Sequence, residues 1–152
     1  MMGANDQISS IFSDALMEVI VTSTGVSLDV ITRESDNSFE HMTGVMNLCG
    51  KKSGMLFITA KEHDIRVLCA RMIGATPAEV TEDEVEDALG EFVNMTAGNA
   101  KLRLSDTDFL FTLSPPFILK GGKTSIIVKR RTHISSIVLG NGDISLNIKI
   151  LY

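Results

Sequence analysis

Hydrophobic residues along the chain switch between two periods, and each switch marks an element boundary. Between residues 6 and 24, Ile8, Phe12, Ala15, Leu16, Val19 and Ile20 recur every three or four positions, the spacing of one buried helical stripe. Gly25 follows and can take the left-handed conformation that ends a helix. Residues 26–32 (VSLDVIT) read as a short strand. Two β-rich runs then flank GKKSG, which predicts a hairpin. From 61 to 73 (KEHDIRVLCARMI) the helical period returns, with Ile65, Leu68, Cys69 and Met72 on one side, until Gly74 and Pro77 break it.

The second half opens on Thr81-x-x-Glu84, a capping box ahead of an apolar-periodic run that should continue to about Leu104. The acidic cluster Glu82, Asp83, Glu84, Glu86 and Asp87 occupies its first turns, where the helix dipole favours negative charge. DFLFTL reads as a strand, and Pro115-Pro116 forces an extended exit. Thr124 to Leu139 reads as mostly strand. GNGD is a turn, and ISLNIKILY alternates with period two, which makes a second hairpin.

The order is helix, strand, hairpin, helix, then long helix, strand, hairpin. DALMEVIVTSTG (14–25) laid over DALGEFVNMTAG (87–98), at an offset of 73, matches in Asp, Ala, Leu, Glu and Gly, five positions of twelve. The expectation is one domain over 1–152 built from two related halves, about 6–73 and 79–152. Its class is α+β, with long helices packed on a mainly antiparallel sheet.

Composition adds limits. A chain of 152 residues with 44% apolar content can bury a core as one domain. The formal charge is −5, and the one basic cluster, Lys129-Arg130-Arg131, reads as a solvated strand end, so no nucleic-acid partner is expected. Cys49 and Cys69 lack metal-ligand spacing and lie among apolar residues, the pattern of reduced, buried thiols. The first residues, MMGANDQ, do not form a signal peptide, and no apolar stretch approaches 18 residues, so a soluble cytoplasmic protein without a membrane partner is expected. GGKTS (121–125) would need glycine at Phe117 and a helix after it to be a phosphate-binding loop, so it reads as a turn. His41, His63 and His133 are too scattered to pair as ligands, and the methionines read as core filler.

The candidate chemistry lies on the long helix. On a wheel of about 100° per residue, Val85, Leu89, Phe92 and Thr96 cluster on one side, with Val93, Asn99 and Arg103 near its margins. Asp87, Glu91, Asn94, Gly98 and Lys101 fall within about 80° on the opposite side. Glu91 and Asn94 are neighbours at i and i+3. Gly98 is one turn on, where a missing side chain admits another surface. An ordinary solvent face is the plain alternative. Asn and Gly are nevertheless poor helix formers, by roughly 0.6 and 1 kcal/mol relative to Ala.

Asp87-x-x-x-Glu91-x-x-Asn94 followed by Gly98-Asn99-Ala100-Lys101 resembles the CheC/CheX/FliY phosphatases of bacterial chemotaxis, most of all the single-motif, CheX-like branch. MTGVMNLCGKKSGMLFIT is similar to that family's Gly-marked hairpin, and LSPPFILKGG to its Pro-then-Gly segment. The resemblance covers roughly residue 8 to the end. It implies a CheC-like duplicated fold and a phosphorylated, CheY-like response regulator as partner and substrate. It assigns catalysis to Glu91 and Asn94, with Asp87 and Gly98 lining the contact, and implies no cofactor of the chain's own, Mg²⁺ coming with the regulator. CheC-type proteins carry the motif on two helices. Here Asp14 and Glu18 persist on the first, but Val21 stands where the second has Asn94, which implies one competent site per chain. The resemblance also implies a homodimer formed through the sheets, for which the closing strand DISLNIKILY offers an edge. A docking module without catalysis, using the same helix face, remains the alternative.

Overall fold

The structure is a computed structural model that describes residues 3–34, 38–122, 124–127 and 132–152. The basic cluster at 129–131 and Lys123 of GGKTS lie outside the described residues. Helix α1 runs Ala4–Thr24, α2 Glu62–Ile73 and α3 Glu82–Arg103. Strands are β1 Asp29–Glu34, β2 Ser38–Phe39, β3 Met42–Gly50, β4 Gly54–Ala60, β5 Phe111–Thr112, β6 Phe117–Lys120, β7 Thr124–Ser125, β8 Ile134–Gly140 and β9 Ser145–Leu151.

The ends of the helices follow from local chemistry. Gly25 closes α1 at φ 77°, its N–H donating to the Val21 carbonyl. The capping box of α3 is formed: the Glu84 N–H donates to Thr81 Oγ1 at 3.2 Å, and the Thr81 N–H to Glu84 Oε2 at 3.0 Å. All six apolar positions of the α1 stripe are buried, as are Val85, Leu89, Phe92 and Thr96 on α3.

Five strands lie in the order β1-β8-β9-β4-β3, and β5 and β6 both pair with the outer edge of β3. Every pairing is antiparallel. The main-sheet strands that precede the hairpin of each half therefore cross to the hairpin of the other half or its edge: β1 joins β8, and β5 and β6 join β3. The order is symmetric about the central β4·β9 pair, as an exchange between two related units would make it. The helices cover one face, where Phe12, Leu16, Leu68, Leu89 and Phe92 meet Met46, Leu56, Ile58 and Ile148 in one core. On the far face, the β2·β7 ribbon covers a smaller cluster in which Phe39 packs on Phe57.

Four sequence expectations change. DFLFTL keeps only Phe111–Thr112 as strand, because turns with Thr107 and Leu110 donating back to Leu104 and Thr107 follow α3. The region 124–139 splits into β7, paired with β2 in the separate ribbon, and β8 in the main sheet. Strand β9 is no edge: it lies between β8 and β4, so it cannot template a second chain. Its period-two pattern also breaks at Lys149, which is buried on the far face with Nζ donating to Ser136 Oγ at 2.9 Å. Finally, Cys69 is buried but Cys49 is exposed, because it points away from the core between Leu48 and Gly50 at the end of β3.

Candidate functional site

Helix α3 is held from below and from both sides, which fixes what it presents outward. Below, it rests on β3 at Gly44. A Cβ there would come within 2.6 Å of Val93 Cγ2 and 3.2 Å of Leu89 Cγ, so only glycine admits the helix this close. On one flank runs α1, where the Ser23 hydroxyl reaches Met95 Sδ at 3.9 Å. Further along that flank, Glu18 Oε2 accepts from Asn99 Nδ2 at 3.2 Å and from Arg103 Nη2 at 2.5 Å. On the other flank, Lys120 of β6 bonds Glu82, and Glu86 at 2.7 Å. These carboxylates hold the Lys120 ammonium well above its ordinary range, and Lys120 holds the Glu82 carboxyl below its own. Gly90 faces Pro116 on this side.

The outward stripe between these flanks holds Asp87, Glu91, Asn94 and Gly98, as the wheel places them. Asp87, Glu91 and Asn94 are exposed and make no hydrogen bond or ion pair with any described residue. Gly98 is half-buried, and a Cβ built on it would meet nothing within 4 Å. No neighbour among the described residues needs a glycine there, and its conformation is helical. The stripe is a shallow polar ridge with a notch beside Asn94. It presents an amide and two carboxylates outward. No group of three His, Cys, Asp or Glu side chains that would hold a metal ion occurs among the described residues.

Sequence reasoning missed the supports. Gly44 stands in MTGVM, where a glycine inside a β-rich run signals a close backbone approach. The hold of Asn99 and Arg103 on Glu18 has no sequence signal beyond their places at the margin of the helix face.

A family model described as chemotaxis phosphatase CheX matches residues 42–139, a span that contains all of α3. Among solved structures, the chemotaxis protein CheX from Vibrio vulnificus superposes with a TM-score of 0.82 at 24% identity, covering 95% of this chain and 97% of that one. A CheC-like superfamily protein from Shewanella sp. PV-4 gives 0.83 at 26% identity, covering 99% and 98%. The CheX–CheY–BeF3–Mg²⁺ complex from Borrelia burgdorferi gives 0.76 at 16% identity, covering 94% and 96%. No curated protein matches the chain. No helix among the described residues is long and apolar enough to cross a membrane. With well over half of its length matched by that model, and with helices and strands arranged as in those structures, the chain belongs to the CheX family of chemotaxis phosphatases.

Proposed function

We propose that the chain dephosphorylates a CheY-like response regulator through the outward stripe of α3. The observation that carries this reading is the set of Glu91, Asn94 and Gly98. They are presented together on one helix, without side-chain partners among the described residues and at a cost in helix propensity. That a relative of the same fold is seen as a CheX–CheY–BeF3–Mg²⁺ complex supports the choice of partner.

In this mechanism Asn94 enters the cleft of the regulator and its side-chain oxygen accepts a hydrogen bond from a water. The water is thereby aligned with phosphorus, opposite the bond to the aspartyl oxygen. Attack forms the new P–O bond as the aspartyl O–P bond breaks. The regulator recovers its carboxylate, inorganic phosphate leaves, and the proton of the water passes to phosphate or solvent. An amide is too weak a base to take that proton, so Asn94 acts by orientation, which carries much of phosphoryl-transfer catalysis. Glu91 pairs with the lysine of the regulator and sets the register of the helix in the cleft. Asp87 lines the contact, and Gly98 lets the other surface approach. The Mg²⁺ belongs to the regulator and neutralises phosphoryl charge there.

The same reading places the protein in the cytoplasm with its regulator. It also allows a homodimer, for which the main sheet offers, among the described residues, the outer edges of β1 and of β5 and β6. Light scattering tests the dimer. The function is tested by phosphate release from CheY-like regulators charged with acetyl phosphate. Wild type accelerates release, and Asn94→Ala abolishes the acceleration while still binding the regulator. Binding by wild type without acceleration would overturn the phosphatase reading and leave a docking module.

A further inference from the structure

The stripe does not stop at Gly98. Leu102 lies one helical turn beyond it, on the same side as Glu91, and is 79% exposed. On the wheel it falls about 60° from Asp87, between the polar stripe and the α1 flank. Its neighbours Arg103 and Asn99 are turned to Glu18, Lys101 on its other side is half-buried, and Leu102 itself stands largely open. An isolated exposed leucine is commonplace. This one continues the face that carries the proposed chemistry, about 12 Å along the axis from Asn94. The other end of the face is acidic: Asp83, Asp87 and Glu91 are exposed and bonded to no described residue. The face is thus polarised: acidic at its start, notched at Gly98, and ending on the Lys101 ammonium and the exposed Leu102.

We propose that Leu102 is the apolar anchor of the regulator-binding face. It seats in an apolar pocket of the CheY-like partner, on the side away from the acidic end of α3, and sets affinity and partner choice while Asn94 sets turnover. The inference rests on the proposed function and deepens it. A partner that fits has a cationic patch at one end of its active-site cleft and an apolar recess at the other. The acidic end gives direction and on-rate. The leucine gives residence, because burying it removes apolar surface from water on both sides.

The test is steady-state dephosphorylation over a range of concentrations of CheY-like regulator charged with acetyl phosphate. Direct binding to the beryllofluoride-loaded regulator runs alongside. Leu102→Ser should raise KM and Kd about tenfold or more, with kcat within about twofold. Leu102→Met should restore most of the affinity. Asn94→Ala should do the reverse, losing kcat and keeping Kd. Thermal unfolding of Leu102→Ser should stay close to wild type, since little of the side chain is covered. Unchanged KM and Kd in Leu102→Ser, with wild type active, would overturn the anchor and leave the proposed function standing. An inactive wild type would overturn the reading beneath it.

Discussion

On α3 the outward stripe reads Asp87, Glu91, Asn94, Gly98; on α1, 73 positions earlier, it reads Asp14, Glu18, Val21, Gly25. Glu18, Val21 and Gly25 set the α1 stripe apart, while Asp14, like Asp87, is exposed and its carboxylate bonds no described residue. Glu18 is bonded to Asn99 and Arg103. Val21, 41% exposed, has no group that can hold a water. Gly25 is required by its φ of 77°, which ends the helix. At the three matching places the α3 stripe differs. Glu91 and Asn94 bond nothing among the described residues, and Gly98 sits in mid-helix with open space beyond it. Two copies of one pattern, in one fold, thus separate residues engaged within the chain from residues left open among the described ones.

The largest expected effects test whether that separation is functional. Asn94→Ala should lower kcat for regulator dephosphorylation about a hundredfold or more, the scale on which lost positioning acts. Val21→Ala at the matching place should leave the rate unchanged. Equal losses in both variants would mean that the two faces are not distinguished by chemistry at all. Phosphate release measured on the two proteins side by side decides it.

The next test tries to convert one face into the other. In the Asn94→Ala background, Val21→Asn supplies the missing amide, but Glu18 stays bonded to Arg103 at 2.5 Å. Combining Val21→Asn with Arg103→Ala removes the ion pair as well and leaves only the Asn99 amide on the carboxylate. Release by this triple variant should recover about tenfold over Asn94→Ala alone, and Val21→Asn without Arg103→Ala should recover less. Full recovery by Val21→Asn alone would show that the engagement of Glu18 is irrelevant.

How much of this was readable beforehand depends on the range of the forces involved. The α3 stripe, its capping box and the closing Gly25 of α1 are decided within one or two turns, and the sequence placed them correctly. The two hairpins were legible because Gly-marked turns separate β-rich runs. Strand order was not, because nothing local to VSLDVIT or DISLNIKILY says that the first pairs with the hairpin of the other half or that the second lies mid-sheet. Lys149 shows the same limit: period two marks it as solvent-facing, yet it is buried on the far face of the sheet. At the site, residue types and their helical phase were legible. That Glu18 is engaged and Glu91 is not depends on α1 and α3 meeting side by side, which no local pattern contains.

The paired glycines give a smaller effect with opposite signs. Gly98→Ala should stabilise the protein by about 1 kcal/mol, the helix propensity gained where no atom is displaced. That is roughly 2–4 °C in Tm for a domain of this size. It should also raise KM, because the methyl fills the notch beside Asn94. Gly25→Ala should lower stability by about 1–2 kcal/mol, since a left-handed residue with a Cβ is strained, and should leave kcat alone. Calorimetry and kinetics on both variants test this. A Gly98→Ala protein that is more stable and equally active would remove the notch from the binding face.

The smallest effect concerns the α1 stripe itself. Glu18 and Arg103 are about half exposed, with side-chain accessibilities of 55% and 38%. Such a pair contributes about 0.2–1 kcal/mol in water and is screened by salt. Glu18→Gln keeps an oxygen that can accept from Asn99 and Arg103, so it should destabilise by less than about 1 kcal/mol, and the difference from wild type should shrink as salt is raised. Turnover should follow the same small scale, because Val93 and Leu89 against Gly44, and Lys120 against Glu82 and Glu86, still hold α3 in place. A Glu18→Gln protein with wild-type stability but a tenfold loss of kcat would contradict the comparison. It would mean that the α1 carboxylate takes part in the reaction, and that the chain works with both of its stripes instead of one.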